Sequence, residues 1–329
     1  MEKVIAFDFM SGDKGAEPAL KASEQFLQKN QDYRILAFIT KDFIIPSIYN
    51  QNIKFIECKD VIIQTDGPMQ IKRKENSTLI RAIKSVLAKE ANFVISAATS
   101  GPLVTAGYIY FKTITKDLKP AFSPLFSNIF GDQKILIDGG ANANPDSDTL
   151  VTYAIMGSEY FKALGISNRP RVKLLNIGTE DTKGNNLLKE TFDKLKNEKQ
   201  INFLGNIEAD KLLYADEDII VADGISGNIV IKAYEGSFNI IYKLMKETAN
   251  KDLLTKLGLF LAKDLRTRFK KAFSAGDVGG AIVLGLNHLL IKVHGGSDTK
   301  YFLNSLILGK RLLENQLLEN IQKKLKNEK

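Results

Sequence analysis

The sequence predicts an α/β protein built on a three-layer, mostly parallel sheet. Two observations carry that prediction. Apolar runs of strand length recur along the 329 residues, each followed by a helical pattern. Several of those runs are continuously apolar rather than alternating, as expected of strands covered on both faces. Strands that alternate with helices imply right-handed βαβ units and parallel pairing. The alternation persists to about residue 250 without a dividing linker, so one domain over 1–329 is expected.

In such sheets ligands bind beyond the carboxyl ends of the strands, which turns each strand into a pointer to a loop. Val4 to Phe9 opens into "DFMSGDKG" (8–15), which offers Asp8, Gly12 and Asp13. Ile35 to Ile39 and Ile53 to Ile56 lead to no comparable loop, although "KRKENST" follows with Arg73 and Lys74, cationic candidates for a phosphate-like turn that otherwise read as a solvated face. Phe93 to Ser96 opens into "SAATSGP" (96–102), with Ser96, Thr99, Ser100 and Gly101. Ile135 to Ile137 meets "DGGANAN" (138–144), with Asn142. Val172 to Asn176 meets "NIGTEDTKGN" (176–185), with Gly178, Lys183, Gly184 and Asn185. Ile201 to Leu204 meets "LGNIEAD" (204–210), with Asn206. Ile219 to Ala222 meets "DGISGN" (223–228), with Asp223, Gly224, Gly227 and Asn228. Two further glycine turns, "SAGDVGGA" (274–281) and "HGGSD" (294–298) with His294, flank a late apolar run. A βα loop needs one Gly or Asn, not two or three, so the turns read together as one cleft on one rim.

Backbone N–H groups at helix N-termini facing such a cleft suit a phosphate. No Walker sequence or G-x-G-x-x-G is present, so a small phosphate is indicated rather than a nucleotide. Only two histidines exist, His288 and His294, with neither an H-E-x-x-H nor a G-x-S-x-G motif. No metal site, no triad and no cofactor are therefore expected. His288, inside "LGLNHLLI", reads as a core or helix residue. Turn acids such as Asp8, Asp138 and Asp223 read by default as caps on their own backbone.

The single cysteine, Cys58, excludes an internal disulfide framework, suits a reducing cytosol and reads as a packing residue. Met1-Glu2-Lys3 runs straight into a strand pattern without the regions of a signal peptide. A net charge of +8 fits an acidic partner or an anionic membrane surface. Nucleic acid is disfavoured, since the basic residues lack interleaved aromatics. Residues 253–273 place Leu253, Leu257, Leu261 and Leu265 along one stripe beside Lys256, Lys263, Arg266 and Arg268. That basic amphipathic helix suits a dimer or membrane contact within a helical segment near 229–273.

Read in order, these turns resemble the phosphate acyltransferases of bacterial phospholipid synthesis. The resemblance rests on Asp8 to Asp13, Ser96 to Leu103, Asp138 to Asn142, "AIMGS" (154–158) and "LLNIGTEDTKGN" (174–185). It continues through "NFLGNIEA" (202–209), "DGISGN", "GGA" (279–281) and "IKVHGGSD" (291–298). It implies an isocitrate and isopropylmalate dehydrogenase-like fold, shared with phosphotransacetylase. It also implies acyl transfer from acyl carrier protein to inorganic phosphate by a cytosolic homodimer associated peripherally with membrane. The product would feed a glycerol-3-phosphate acyltransferase. Lys183 and Asn228 match the lysine and asparagine implicated in that family's active site. The chain departs from the family pattern at Ser11, Ala98, Gly139 and Gly296, which bears on substrate affinity more than on reaction type. A coenzyme A-specific transacetylase and a non-catalytic thioester-binding protein are the rival readings, with a metal-dependent dehydrogenase behind them.

Overall fold

The computed structural model describes residues 3–251, 257–258, 261–262 and 279–326. One 11-stranded sheet organises them. Its strands in chain order are β1 (Lys3–Asp8), β2 (Tyr33–Thr40), β3 (Ile53–Cys58), β4 (Phe93–Ser96), β5 (Ala121–Ser127) and β6 (Gln133–Ile137). Then come β7 (Arg171–Leu175), β8 (Asn202–Ile207), β9 (Ile219–Val221), β10 (Ala281–Leu284) and β11 (Leu289–Lys292). Across the sheet the order is β3-β2-β1-β4-β11-β10-β5-β6-β9-β7-β8. The eight strands expected from apolar runs are all present. The additions are β5, β10 and β11.

Those additions change the topology. Strands β1, β2, β3, β4 and β11 run parallel to one another, and so do β6, β7, β8 and β9. Between the two blocks, the pairs β11–β10, β10–β5 and β5–β6 are antiparallel. Three reversals leave the blocks pointing in opposite directions, so the glycine turns do not share one rim. The register nevertheless brings them together. Lys292 at the end of β11 faces Ala281, which faces Pro124 of β5. Two residues earlier on β5, the Phe122 N–H donates to the carboxylate of Asp138, just past β6, at 2.8 Å. The Gly139 N–H donates back to the Phe122 carbonyl at 2.7 Å. The carboxyl ends of the two blocks therefore meet across the middle of β5.

Helices cover both faces. Of the consecutive β1 residues, Ile5 and Phe7 join one apolar core while Ala6 joins the other. The first core is filled by α1 (Glu17–Lys29), α5 (Ser147–Ala163), α6 (Asn186–Asn197), α8 (Thr299–Glu314) and α9 (Leu317–Lys326), through Phe26, Tyr153, Phe192, Leu306 and Ile321. The second is filled by α2 (Pro68–Arg73), α3 (Thr78–Leu87) and α4 (Ser100–Phe111), through Ile71, Ile83 and Leu103. Helix α7 (Gly224–Lys251) packs Val230 and Tyr234 over Ile220 and Ala222 at the end of β9.

Three expectations need revision. No helix joins β2 to β3. His288 lies in the short β10–β11 connection rather than in a helix, half-buried and tilted against the Phe111 ring with centroids 4.8 Å apart, and burial lowers its pKa. Lys74 belongs to no phosphate loop, because its ammonium is 2.7 Å from the buried Asp66 carboxylate. Cys58 is buried, and burial pushes its thiol up to about 11. Of the 253–273 stripe, Leu257 and Leu261 are exposed. Leu253, Leu265 and the basic residues Lys256, Lys263, Arg266 and Arg268 lie outside the described residues, as does most of "SAGDVGGA". No described helix is long and apolar enough to cross a membrane.

Candidate active site

Loops from the first block form one side of the site. The buried Asp8 carboxylate accepts from the Ser96 hydroxyl at 2.7 Å, from the Met10 N–H at 3.2 Å and, through a short contact, from the Ser11 hydroxyl. Ser96 also accepts from the Ala98 N–H at 3.1 Å. Asp8 thus fastens the ends of β1 and β4 to each other. The Asp13 N–H donates to the Gly295 carbonyl at 2.9 Å, and Gly12 packs against Gly295 and Phe302, which ties the first loop to the "HGGSD" turn. Thr99, Ser100 and Gly101 are exposed at the start of α4, and no side chain caps its N–H groups. Such an end carries roughly half a positive charge.

Loops from the second block form the other side. Asp138 is fully buried, and the N–H groups of Phe122, Gly140, Ala141 and Asn142 all point at its carboxylate, at 2.6 to 2.9 Å. Burial pushes its carboxyl up, and those N–H groups pull the other way. The glycine turn 138–142 is therefore an anion nest, and the anion is its own aspartate. Asn142 turns its amide to the Tyr153 hydroxyl at 3.3 Å and its carbonyl to the Gly224 N–H at 3.0 Å. Asp223 accepts from the N–H groups of Ile225 and Ser226 at 3.0 and 2.9 Å, capping α7. Gly227 is required by close approach, since a Cβ there would lie 2.0 Å from the Asp138 carbonyl oxygen. With the helix pressed that close, the exposed Asn228 side chain comes to rest over Gly140.

Between the two sides lies a cleft of about 430 Å³. Its polar wall carries Ser100, Asn228, Lys232, Glu235, Lys292 and His294. Its apolar wall is made by Phe122, Pro124, Leu125, Ile231 and Phe238. The Gly296 N–H donates to His294 Nδ1 at 3.1 Å, which fixes the imidazole's outer edge on the cleft. Sequence reasoning missed Lys292 and the apolar wall. Lys292 closes an apolar strand run, and the wall comes from α7 and from β5, a strand that was not foreseen.

Of the candidates named from the sequence, Ser100, Asn228 and His294 line this cleft. Asp8, Gly12, Asp13 and Ser96 brace its first side, while Asn142, Asp223, Gly224 and Gly227 brace its second. Gly178, Lys183, Gly184, Asn185 and Asn206 form a separate cluster beyond β7 and β8. Asn206 donates to the Glu180 carbonyl at 2.9 Å, and Asn185 caps α6 through the Leu188 N–H at 3.0 Å. Gly184 backs onto the Asn176 side chain, and Gly178 onto Glu180 and Lys183. The half-exposed Lys183 ammonium lies 3.7 Å from Glu180. Because β7 pairs with β9, this loop emerges beside the 223–228 turn without lining the cleft. Among the described residues no three His, Cys, Asp or Glu side chains gather as a metal ion would need.

A family model described as "Fatty acid synthesis protein" matches residues 3–320. The chain is 34% identical to a phosphate acyltransferase of Fusobacterium nucleatum over 98% of its own length and 99% of that protein's. It is 38% identical to a phosphate acyltransferase of Macrococcus caseolyticus over 92% of both chains. Among solved structures, the crystal structure of a phosphotransacetylase from Streptococcus pyogenes superposes with a TM-score of 0.56 at 13% identity, covering 96% of this chain and 94% of that one. At that identity the likeness concerns the fold alone.

Proposed function

The chain belongs to the fatty acid synthesis protein family, its full-length relatives being phosphate acyltransferases, and on that premise we propose that it moves a long-chain acyl group from acyl carrier protein to inorganic phosphate. It is an acyltransferase, and phosphate is its acceptor. The observation that carries the finer reading is the two-walled cleft on β5. Its polar wall suits an anion and its apolar wall suits an alkyl chain.

Phosphate is anionic at neutral pH and a thioester is a reactive acyl donor, so the chemistry asks for positioning and charge stabilisation more than for a strong base. A phosphate oxygen attacks the thioester carbonyl carbon, and the carbonyl oxygen takes the negative charge. The C–S bond then breaks, and the thiolate leaves and takes a proton from solvent. Asn228, over Gly140 at the cleft wall, is assigned the donor to that oxyanion. Lys183, on the loop beside the 223–228 turn, is assigned to neutralise phosphate; its 3.7 Å contact with Glu180 is long enough to yield to it. The net charge of +8 favours the acidic carrier protein and an anionic membrane surface. A homodimer, the cytosol with peripheral membrane association, and consumption of the acyl-phosphate by a glycerol-3-phosphate acyltransferase complete the reading.

The test is donor choice. Purified protein is given phosphate with palmitoyl-acyl carrier protein or with palmitoyl-coenzyme A, and acyl-phosphate is trapped as hydroxamate. Product favouring the carrier donor supports the reading. Product from coenzyme A alone would replace it with a transacetylase.

A further inference from the structure

We propose that the ammonium of Lys292 binds the acceptor phosphate in the cleft, an inference that rests on phosphate being the acyl acceptor. Lys292 is the last residue of β11, with Ser96 beside it on β4 and Ala281 beside it on β10. That register places its side chain where the two blocks of the sheet meet, in a cleft shared with Ser100, Asn228 and His294. The residue is 9% exposed. An ammonium has three donors, and among the described residues this one uses one of them, on the Val293 carbonyl at 2.7 Å. No carboxylate among the described residues lies within ion-pair distance of it.

The same molecule shows what a buried ammonium looks like when its role is structural. Lys134, buried still more deeply, meets the Glu217 carboxylate at 2.5 Å and the Ala215 carbonyl at 2.6 Å. A buried charge left without a counter-charge is costly, so it persists where a ligand supplies one. The other lysine lining the cleft, Lys232, already has Glu235 at 3.2 Å, and Lys183 stands on the loop beside the cleft without lining it. The uncapped start of α4, which reaches the cleft through Ser100, adds partial positive charge on the same side. Burial holds Lys292 down to about 8, which is where an anion arriving at the ammonium would have its largest effect on protonation. The charged groups facing it are Asp13 from the first loop and Lys232 and Glu235 from α7, with His294 and Tyr301 also on the cleft.

Lys292→Met, with Lys292→Arg as the charge-retaining control, tests this in two independent ways. Calorimetric titration with inorganic phosphate reads binding without turnover. Removing one partner of a buried charge pair predicts about thirtyfold or more weaker phosphate binding in Lys292→Met, with much of it recovered in Lys292→Arg. Wild-type affinity should fall as pH rises past about 8, and the arginine variant should not follow it. In steady state, KM for phosphate rises in Lys292→Met while KM for the acyl donor stays put. Equal phosphate affinity in wild type and Lys292→Met, or no measurable binding by the wild type, overturns the assignment. A wild type that binds phosphate through Lys292 but turns over no thioester would instead sink the acyl-transfer reading.

Discussion

In the reaction proposed, Asn228 and Lys292 divide the chemistry of the cleft between them, and each should leave a different signature when removed. The role proposed for Asn228 is a hydrogen bond that matters most when the carbonyl oxygen becomes an oxyanion. Asn228→Ala should therefore lower kcat by about a hundredfold or more with little change in KM for phosphate, measured by hydroxamate trapping. Lys292 bears on stability as well as binding. Its pKa in the folded chain lies below its ordinary value, so between about 8 and that value the unfolded chain holds more protons. Stability should rise with pH through that window, and below it the full cost of the buried charge is present. At pH 7 Lys292→Met should then melt above the wild type in phosphate-free buffer, and the gap should close towards pH 10. A variant that melts lower at pH 7, with no change across that range, would show that the ammonium is not strained. The acids Asp8, Asp138 and Asp223 are the backbone caps that their residue type predicts, each carboxylate taking up donors of its own turn. Those N–H groups are thereby spent and are not free for a phosphate.

Element by element, legibility followed burial pattern. Several of the eight strands foreseen from sequence are continuous apolar runs, because helices cover both of their faces. β5 was missed because "AFSPLFS" alternates buried with half-buried residues and carries Pro124. β10 and β11 were missed because only residues 285–288 separate two four-residue strands, so the stretch reads as one apolar segment. Those missing strands reverse the second block and set the stagger on β5, so the site's location was hidden while its loops were plain. The join between α7 and β6 rests on Gly227. Gly227→Ala would press a methyl group into the Asp138 backbone and should cost about 1–3 kcal/mol or more in denaturant unfolding. The β6–β9 junction rests on the Lys134–Glu217 pair, whose Glu217 Oε2 has no partner. Lys134→Met alone should cost about 3–5 kcal/mol, whereas Lys134→Met with Glu217→Leu should recover most of it. Equal losses in the single and double variants would mean that the pair's position, rather than its charge, holds the junction.

At the scale of the whole molecule, two oppositely directed α/β blocks share one sheet and present their loops to each other across β5. That arrangement gives a polar wall drawn from both blocks and an apolar wall from β5 and α7, which suits a reaction between an anion and an acyl chain. The net charge of +8 adds long-range attraction for an acidic donor. Raising ionic strength should accordingly raise KM for the carrier-bound thioester, and should leave KM for a neutral pantetheine thioester unchanged. Attack of phosphate on a thioester in this cleft would make product formation depend on phosphate, which a phosphate titration reads. With palmitoyl-acyl carrier protein fixed and acyl-phosphate trapped as hydroxamate, product should rise with phosphate, saturate, and fall by about a hundredfold in Asn228→Ala. Hydroxamate formed without dependence on phosphate, or at equal rates in the wild type and Asn228→Ala, would contradict it.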